Sequence, residues 1–187
     1  MALMASLAIN QYAIDFATDH ASNSVTDLIL SNIPVFDVDA IFVYGTAVAV
    51  VYGVVLCLMD PKGAPFALKT AALFFIIRSM FLSLTHLAPF EPHIVSSFGT
   101  AINHAFFGDD LFFSGHTGLP FLAALAFWDW PLQRYIFLGM SIFFGVIVLL
   151  GHYHYSIDVA SAFFITYGIY DIAKWAFPAD YKLSKAK

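Results

Sequence analysis

The run AIFVYGTAVAVVYGVVLCLM, residues 40–59, carries no charged side chain. Coiled as an α-helix it reaches about 30 Å, the thickness of a bilayer's hydrocarbon core. The whole chain shares this character: of 187 residues, 60% are hydrophobic and 18% aromatic, while only 11% are charged. Mean hydropathy is +0.80. A water-soluble domain of this length has too little polar surface to stay dispersed with such a balance, so the composition excludes soluble function classes and points to a membrane protein. The spans should be helices, because a lone strand in lipid leaves its backbone groups unpaired.

Working outward from residues 40–59, four more apolar stretches read as spans. The second covers about residues 65–84 and includes Lys69 and Arg78. The third runs through GLPFLAALAFWDW from a start near Leu111, the fourth covers 135–151 and the fifth 159–177. The predicted fold is an all-α polytopic bundle of about five transmembrane helices in a single domain. Residues 1–36 hold Asp15, Asp19, Asp27 and His20 among apolar residues and read as an interfacial amphipathic segment. They lack the basic start and cleavage site of a signal peptide. Residues 37–178 form the transmembrane core and 179–187 a basic tail. The single cysteine, Cys57, excludes a disulfide framework and a thiolate metal site.

Five spans put the two ends on opposite sides. Lys62, Lys69, Arg134, Lys174, Lys182, Lys185 and Lys187 all fall on the side of the carboxyl end, which predicts that end to be cytoplasmic. The amino end, the connection from His86 to Asp110 and the turn HYHYSID fall on the outer side. Arg78 lies within the second span, where an isolated charge costs roughly 2.5–3.5 kcal/mol, so it should face the bundle interior and meet an anion.

This topology sends three features to one depth: Arg78, the stretch Ser114-Gly115-His116-Thr117, and the segment from His152 to Asp158. His154 and Asp158 share a helix face if their turn is helical. The carboxylate there can fix one imidazole nitrogen and leave the other to attack or take a proton. At a helix start, Ser114, Gly115 and Thr117 offer backbone N–H groups and the positive end of the dipole to a phosphate, or simply an ordinary serine cap.

These residues carry a family resemblance. GDDLFFSGHT (108–117) and HYHYSIDV (152–159) resemble the paired motifs of the sphingomyelin synthase-like branch of the type 2 phosphatidate phosphatase (PAP2) superfamily. Arg78 with Thr85 and the following LAP, and NIPVFDV near Pro34, resemble two weaker stretches of that branch in the same order. The resemblance implies that His154 is the nucleophile forming a phosphohistidine and that Asp158 orients it. It implies that His116 is the acid for the leaving alkoxide and then the base for the incoming hydroxyl. Arg78, Ser114, Gly115 and Thr117 would hold the phosphate, and Asp110, His152 and Tyr155 would meet the head group or substrate. No metal or cofactor is expected, and the partners would be membrane lipids as donor and acceptor, with no nucleic acid.

Arg78 is followed by Ser79 where the phosphatases of the wider superfamily carry proline, and Val148 stands where they carry arginine. Both departures favour the synthase-like branch. Asp109 replaces the glycine before the motif's aspartate, and no clear span precedes Pro34 where six spans are usual. The implied reaction moves a phosphocholine- or phosphoethanolamine-type group from a phospholipid to a lipid alcohol such as ceramide or diacylglycerol. The alternative is a lipid phosphatase or phospholipase C-type hydrolase with water as acceptor. A different class, a haem- or metal-binding redox protein, would draw on His20, His86, His93, His104, His116, His152 and His154, but most of these fall at the outer surface and not in facing pairs.

Overall fold

The computed structural model of the protein describes residues 1–91 and 111–186. Among these the chain forms seven α-helices and no strand: α1 (Ala2–Asp19), α2 (Asp39–Met59), α3 (Ala64–Leu84), α4 (Gly115–Ala126), α5 (Pro131–Leu150), α6 (Ser156–Ala176) and α7 (Pro178–Lys185). By length and composition α2, α3 and α5 are able to cross a membrane.

Two of the five expected spans differ from their prediction. The third is helical only over Gly115–Ala126, about 18 Å of rise, because Ser114 caps its start and residues 111–114 stay non-helical. The fifth, α6, is 21 residues long, but Asp158, Asp171 and Lys174 make it more polar than the other three. Local turn chemistry sets the remaining ends. Pro131 opens α5 from the position where a missing N–H costs nothing, so α5 begins four residues before the predicted 135. Asp60 closes the α2–α3 turn by accepting from the Gly63 amide at 3.2 Å, and a Cβ on Gly63 would fall 2.3 Å from the Asp60 carboxylate.

The exposed face of α2 carries Ile41, Val48, Val51, Val54, Val55 and Leu58, a surface suited to lipid and not to water. The interior, by contrast, holds Thr70, Arg78, Ser114, Thr117, His154, Asp158 and Thr166, each at most 4% exposed. Polar groups thus turn inward and apolar ones outward, the distribution expected in a bilayer.

The amino-terminal segment joins this arrangement instead of standing apart from it. Ser6, Asn10, Ala13 and Ala17 form the buried stripe of α1, while Met4, Leu7, Ile9 and Tyr12 face outward. The small residues let α1 approach α3 closely. Asn10 meets Arg78 and the Phe16 ring meets the His86 ring, so the two helices run in the same direction. At the opposite end the basic tail folds as α7 and docks: Lys69 pairs with Asp180 at 2.6 Å, Lys185 pairs with Asp129, and Lys62 donates to the Ala186 carbonyl at 3.3 Å. Cationic residues therefore collect at the end of the bundle away from the His154 turn.

Candidate active site

The short segment Leu111–Ser114 brings the chemical groups together. The Leu111 carbonyl accepts from His154 Nδ1 at 2.9 Å, and the Phe113 carbonyl accepts from Arg78 Nε at 2.9 Å. The Ser114 amide donates to the Asp158 carbonyl at 3.2 Å. Three positions within this four-residue segment thereby tie α3, the turn before α6 and the start of α6 to the start of α4.

His154 is 4% exposed and its Nδ1 also lies 3.5 Å from Asp158 Oδ2. With a carbonyl as the nearer acceptor, Nδ1 carries the hydrogen and Nε2 presents its lone pair. Asp158 Oδ2 accepts from the Tyr155 amide at 2.9 Å, so the carboxylate caps α6 as well as facing the imidazole. Its Oδ1 is buried and has no hydrogen-bond partner among the described residues.

Arg78 is 2% exposed and rests against the start of α4, where a Cβ on Gly115 would come within 3.3 Å of its Nε. Glycine at 115 lets the guanidinium lie close to the first-turn amides of α4. Arg78 Nη1 reaches Asn10 Oδ1 of α1 at 3.5 Å. His116 follows Gly115 on α4, its ring 4.4 Å from that of Phe42 and 6.4 Å from that of Phe144, and the Phe42 ring in turn lies 5.1 Å from the ring of Tyr153. The structure thus gathers Arg78, Ser114, Gly115, His116, His154 and Asp158 at one end of the bundle.

Three other expected contacts are committed elsewhere. The Ser114 hydroxyl accepts from the Thr117 amide at 3.3 Å, an N-cap bond that takes both groups out of phosphate binding. The Thr117 side chain is fully buried against Gly145 of α5. Tyr155, expected to face substrate, is 1% exposed and structural: its hydroxyl donates to the Ala88 carbonyl at 2.8 Å and accepts from the Val25 amide at 3.1 Å. Asp110, with Asp109, His93 and His104, lies outside the described residues. Among the described residues no group of three or more histidine, cysteine or acidic side chains is arranged to hold a metal ion.

His152 ends α5 in a Schellman turn. Its amide donates to the Leu149 carbonyl and the Tyr153 amide to the Val148 carbonyl, with His152 at φ 57°. A histidine held in this left-handed region costs about 1 kcal/mol relative to glycine. The imidazole is nevertheless buried and its ring lies 5.4 Å from that of Phe90, so in His152→Gly the lost packing should outweigh the relieved strain and lower the melting temperature in detergent. A concurrent loss of turnover would give His152 a chemical role; unchanged turnover would leave it a turn residue.

Asp27 is a residue that motif reading passed over. Oδ1 accepts from the amides of Ile29 and Leu30, and Oδ2 accepts from the Ser156 amide at 2.7 Å and its hydroxyl at 2.8 Å. A carboxylate at the amino end of α6 also suits the helix dipole. Burial pushes the Asp27 carboxyl up, but the bonds from Leu30, Ser156 and Ile29 outweigh it and hold the group below its ordinary value. A depressed folded-state value adds stability that is complete above the unfolded value and is lost as pH falls through the folded one. Thermal stability should therefore decline below about pH 4, and Asp27→Asn should flatten that acid limb while lowering stability at pH 7. An unchanged acid limb in the variant would remove Asp27 as its source.

Comparison with known proteins adds one positive finding. No curated protein and no solved structure matches the chain. Residues 108–176, which contain the Leu111–Ser114 segment, α4, α5, the His154 turn and α6, match the family described as PAP2 superfamily C-terminal. That match makes this part of the chain similar to the PAP2 superfamily, and the all-helical bundle is consistent with it.

Proposed function

We propose that the protein is a membrane lipid phosphotransferase that works through a phosphohistidine on His154. The observation that carries this reading is the meeting of Arg78, His154 and Asp158 on the Leu111–Ser114 segment, with His116 one residue past Gly115. In the first half-reaction His154 Nε2 bonds to phosphorus as the bond to the leaving lipid oxygen breaks, and protonated His116 gives that oxygen its proton. In the second, the acceptor hydroxyl attacks phosphorus, His116 takes its proton, and the N–P bond breaks. Arg78 and the Gly115 and His116 amides at the start of α4 balance charge on the phosphoryl oxygens.

Arg78-Ser79 and Val148 support the synthase-like branch, in which a phosphocholine- or phosphoethanolamine-type group passes to a lipid alcohol such as ceramide or diacylglycerol. The distribution of lysines supports a cytoplasmic carboxyl end and a site on the outer face. Purified protein incubated with labelled phosphatidylcholine, phosphatidylethanolamine or phosphatidate, each with and without ceramide, tests the assignment. Label transferred to ceramide is the expected result. Free phosphate or phosphorylated head group formed equally without ceramide would make the enzyme a hydrolase. An absence of any product, with all three donors, would overturn the reading.

A further inference from the structure

A cavity of about 430 Å³ runs beside α4, bounded by α2, α3 and α5. Gly115 and His116 line one end, so it begins at the candidate site. Cys57, Ala126 and Phe127 line the other, and the walls between are apolar, with Thr46 and His116 the polar side chains. From His116 to Ala126 α4 advances about 15 Å. An extended chain covers about 1.2 Å per bond, taking a polypeptide's ~3.5 Å per three bonds as the guide, so this depth suits about twelve carbons. Spread over about 15 Å, the volume gives a mean section of about 29 Å². Hydrocarbon chains in contact lie about 4.0–4.5 Å apart and need roughly 20 Å² each, so the section accommodates one chain.

We propose that this cleft takes a single acyl or alkyl chain of the substrate lipid to a depth of about twelve carbons, with Cys57, Ala126 and Phe127 as its floor. The proposal rests on the lipid-phosphate reading of the site. Continuity argues for this occupant: a phosphate held by Arg78 beside Gly115 places the attached chain at the mouth that Gly115 and His116 form. A second chain would remain outside, against the lipid-facing side of α2.

Gly53 supplies the test. It lines the cleft, and a Cβ added there meets no atom within 4 Å, so Gly53→Leu fills the cavity without a clash. Gly139 on α5 is equally open and lies outside the lining, so Gly139→Leu is the control. The full chain in lipid nanodiscs is irradiated with n-hexadecyl phosphate carrying a diazirine near either carbon 4 or carbon 12, and the labelled peptides are identified by mass spectrometry. Label near carbon 4 is expected around Thr46 and Leu119, and label near carbon 12 around Cys57, Ala126 and Phe127. Gly53→Leu should cut the carbon-12 labelling of the floor about tenfold, as overfilling a packed space does, and Gly139→Leu should leave it unchanged. Carbon-12 label scattered over Val48, Val51 and Ile142, a floor label indifferent to Gly53→Leu, or no label at all would overturn the proposal. Labelling needs no turnover, so a graded label without lipid product would overturn the enzymatic reading alone. Product with scattered label would overturn the cleft alone.

Discussion

His154→Ala is expected to abolish phosphoryl turnover, a loss of roughly four to six orders of magnitude, as when a covalent nucleophile is removed. The geometry behind this is the division of labour within one imidazole. Nδ1 is engaged by the Leu111 carbonyl at 2.9 Å and faces Asp158 at 3.5 Å, which leaves Nε2 as the nucleophilic atom. A quench with labelled donor lipid should trap an acid-labile, alkali-stable phosphoprotein in the parent chain and none in His154→Ala. His116→Ala should behave differently: it slows both half-reactions but leaves Nε2 able to attack an activated donor with a good leaving group. Retained full activity in His154→Ala, or a trapped phosphoprotein in that variant, would refute the assignment. Folding is a smaller issue, since the substitution orphans one buried carbonyl at a cost of about 1–3 kcal/mol. A melting curve on the same sample separates the two effects.

The second large effect is expected at Arg78. Its Nε bond to the Phe113 carbonyl and its Nη1 contact with Asn10 hold the guanidinium plane against Gly115. Arg78→Lys keeps the charge but loses the planar fork, so kcat/KM should fall about 10²–10³-fold, the scale of removing a preorganised donor from an oxyanion site. Arg78→Met should remove activity further and destabilise the fold, because the Phe113 carbonyl and the Asn10 side chain lose a buried partner. Asn10→Ala leaves Arg78 in place without its α1 contact and should give an intermediate loss in kcat/KM with near-normal stability. Unchanged kinetics in Arg78→Lys would take the guanidinium out of the phosphate site.

Much of the site was readable as motif. SGHT and HYHYSID each hold local chemistry: a serine cap, a helix start, and a histidine four residues before an aspartate. Their flanking apolar runs announced helices around them. Other features were hidden because local sequence carries no mark of them. Asn10 stood in a segment read as interfacial, although its spacing with Ser6, Ala13 and Ala17 traces a helical stripe of small and polar residues. Tyr155 looked like a substrate contact because it sits between two site residues. Its burial follows from the neighbouring chain at Val25 and Ala88, which no motif names. Ser114 and Thr117 were divided between capping and phosphate binding, and the cap bond takes their hydroxyl and amide.

The amino-acid sequence by itself determined the solvent this chain folds in, the helical class, and the identity of the chemical groups, because each depends on composition or on neighbours within one or two helical turns. The tertiary structure alone decided which of those groups meet. His154 and Leu111 stand 43 positions apart, Arg78 and Phe113 35, Asn10 and Arg78 68, and Asp27 and Ser156 129. Contacts at such separations are selected by the packing of whole helices, where buried polar groups must find partners that local sequence cannot supply.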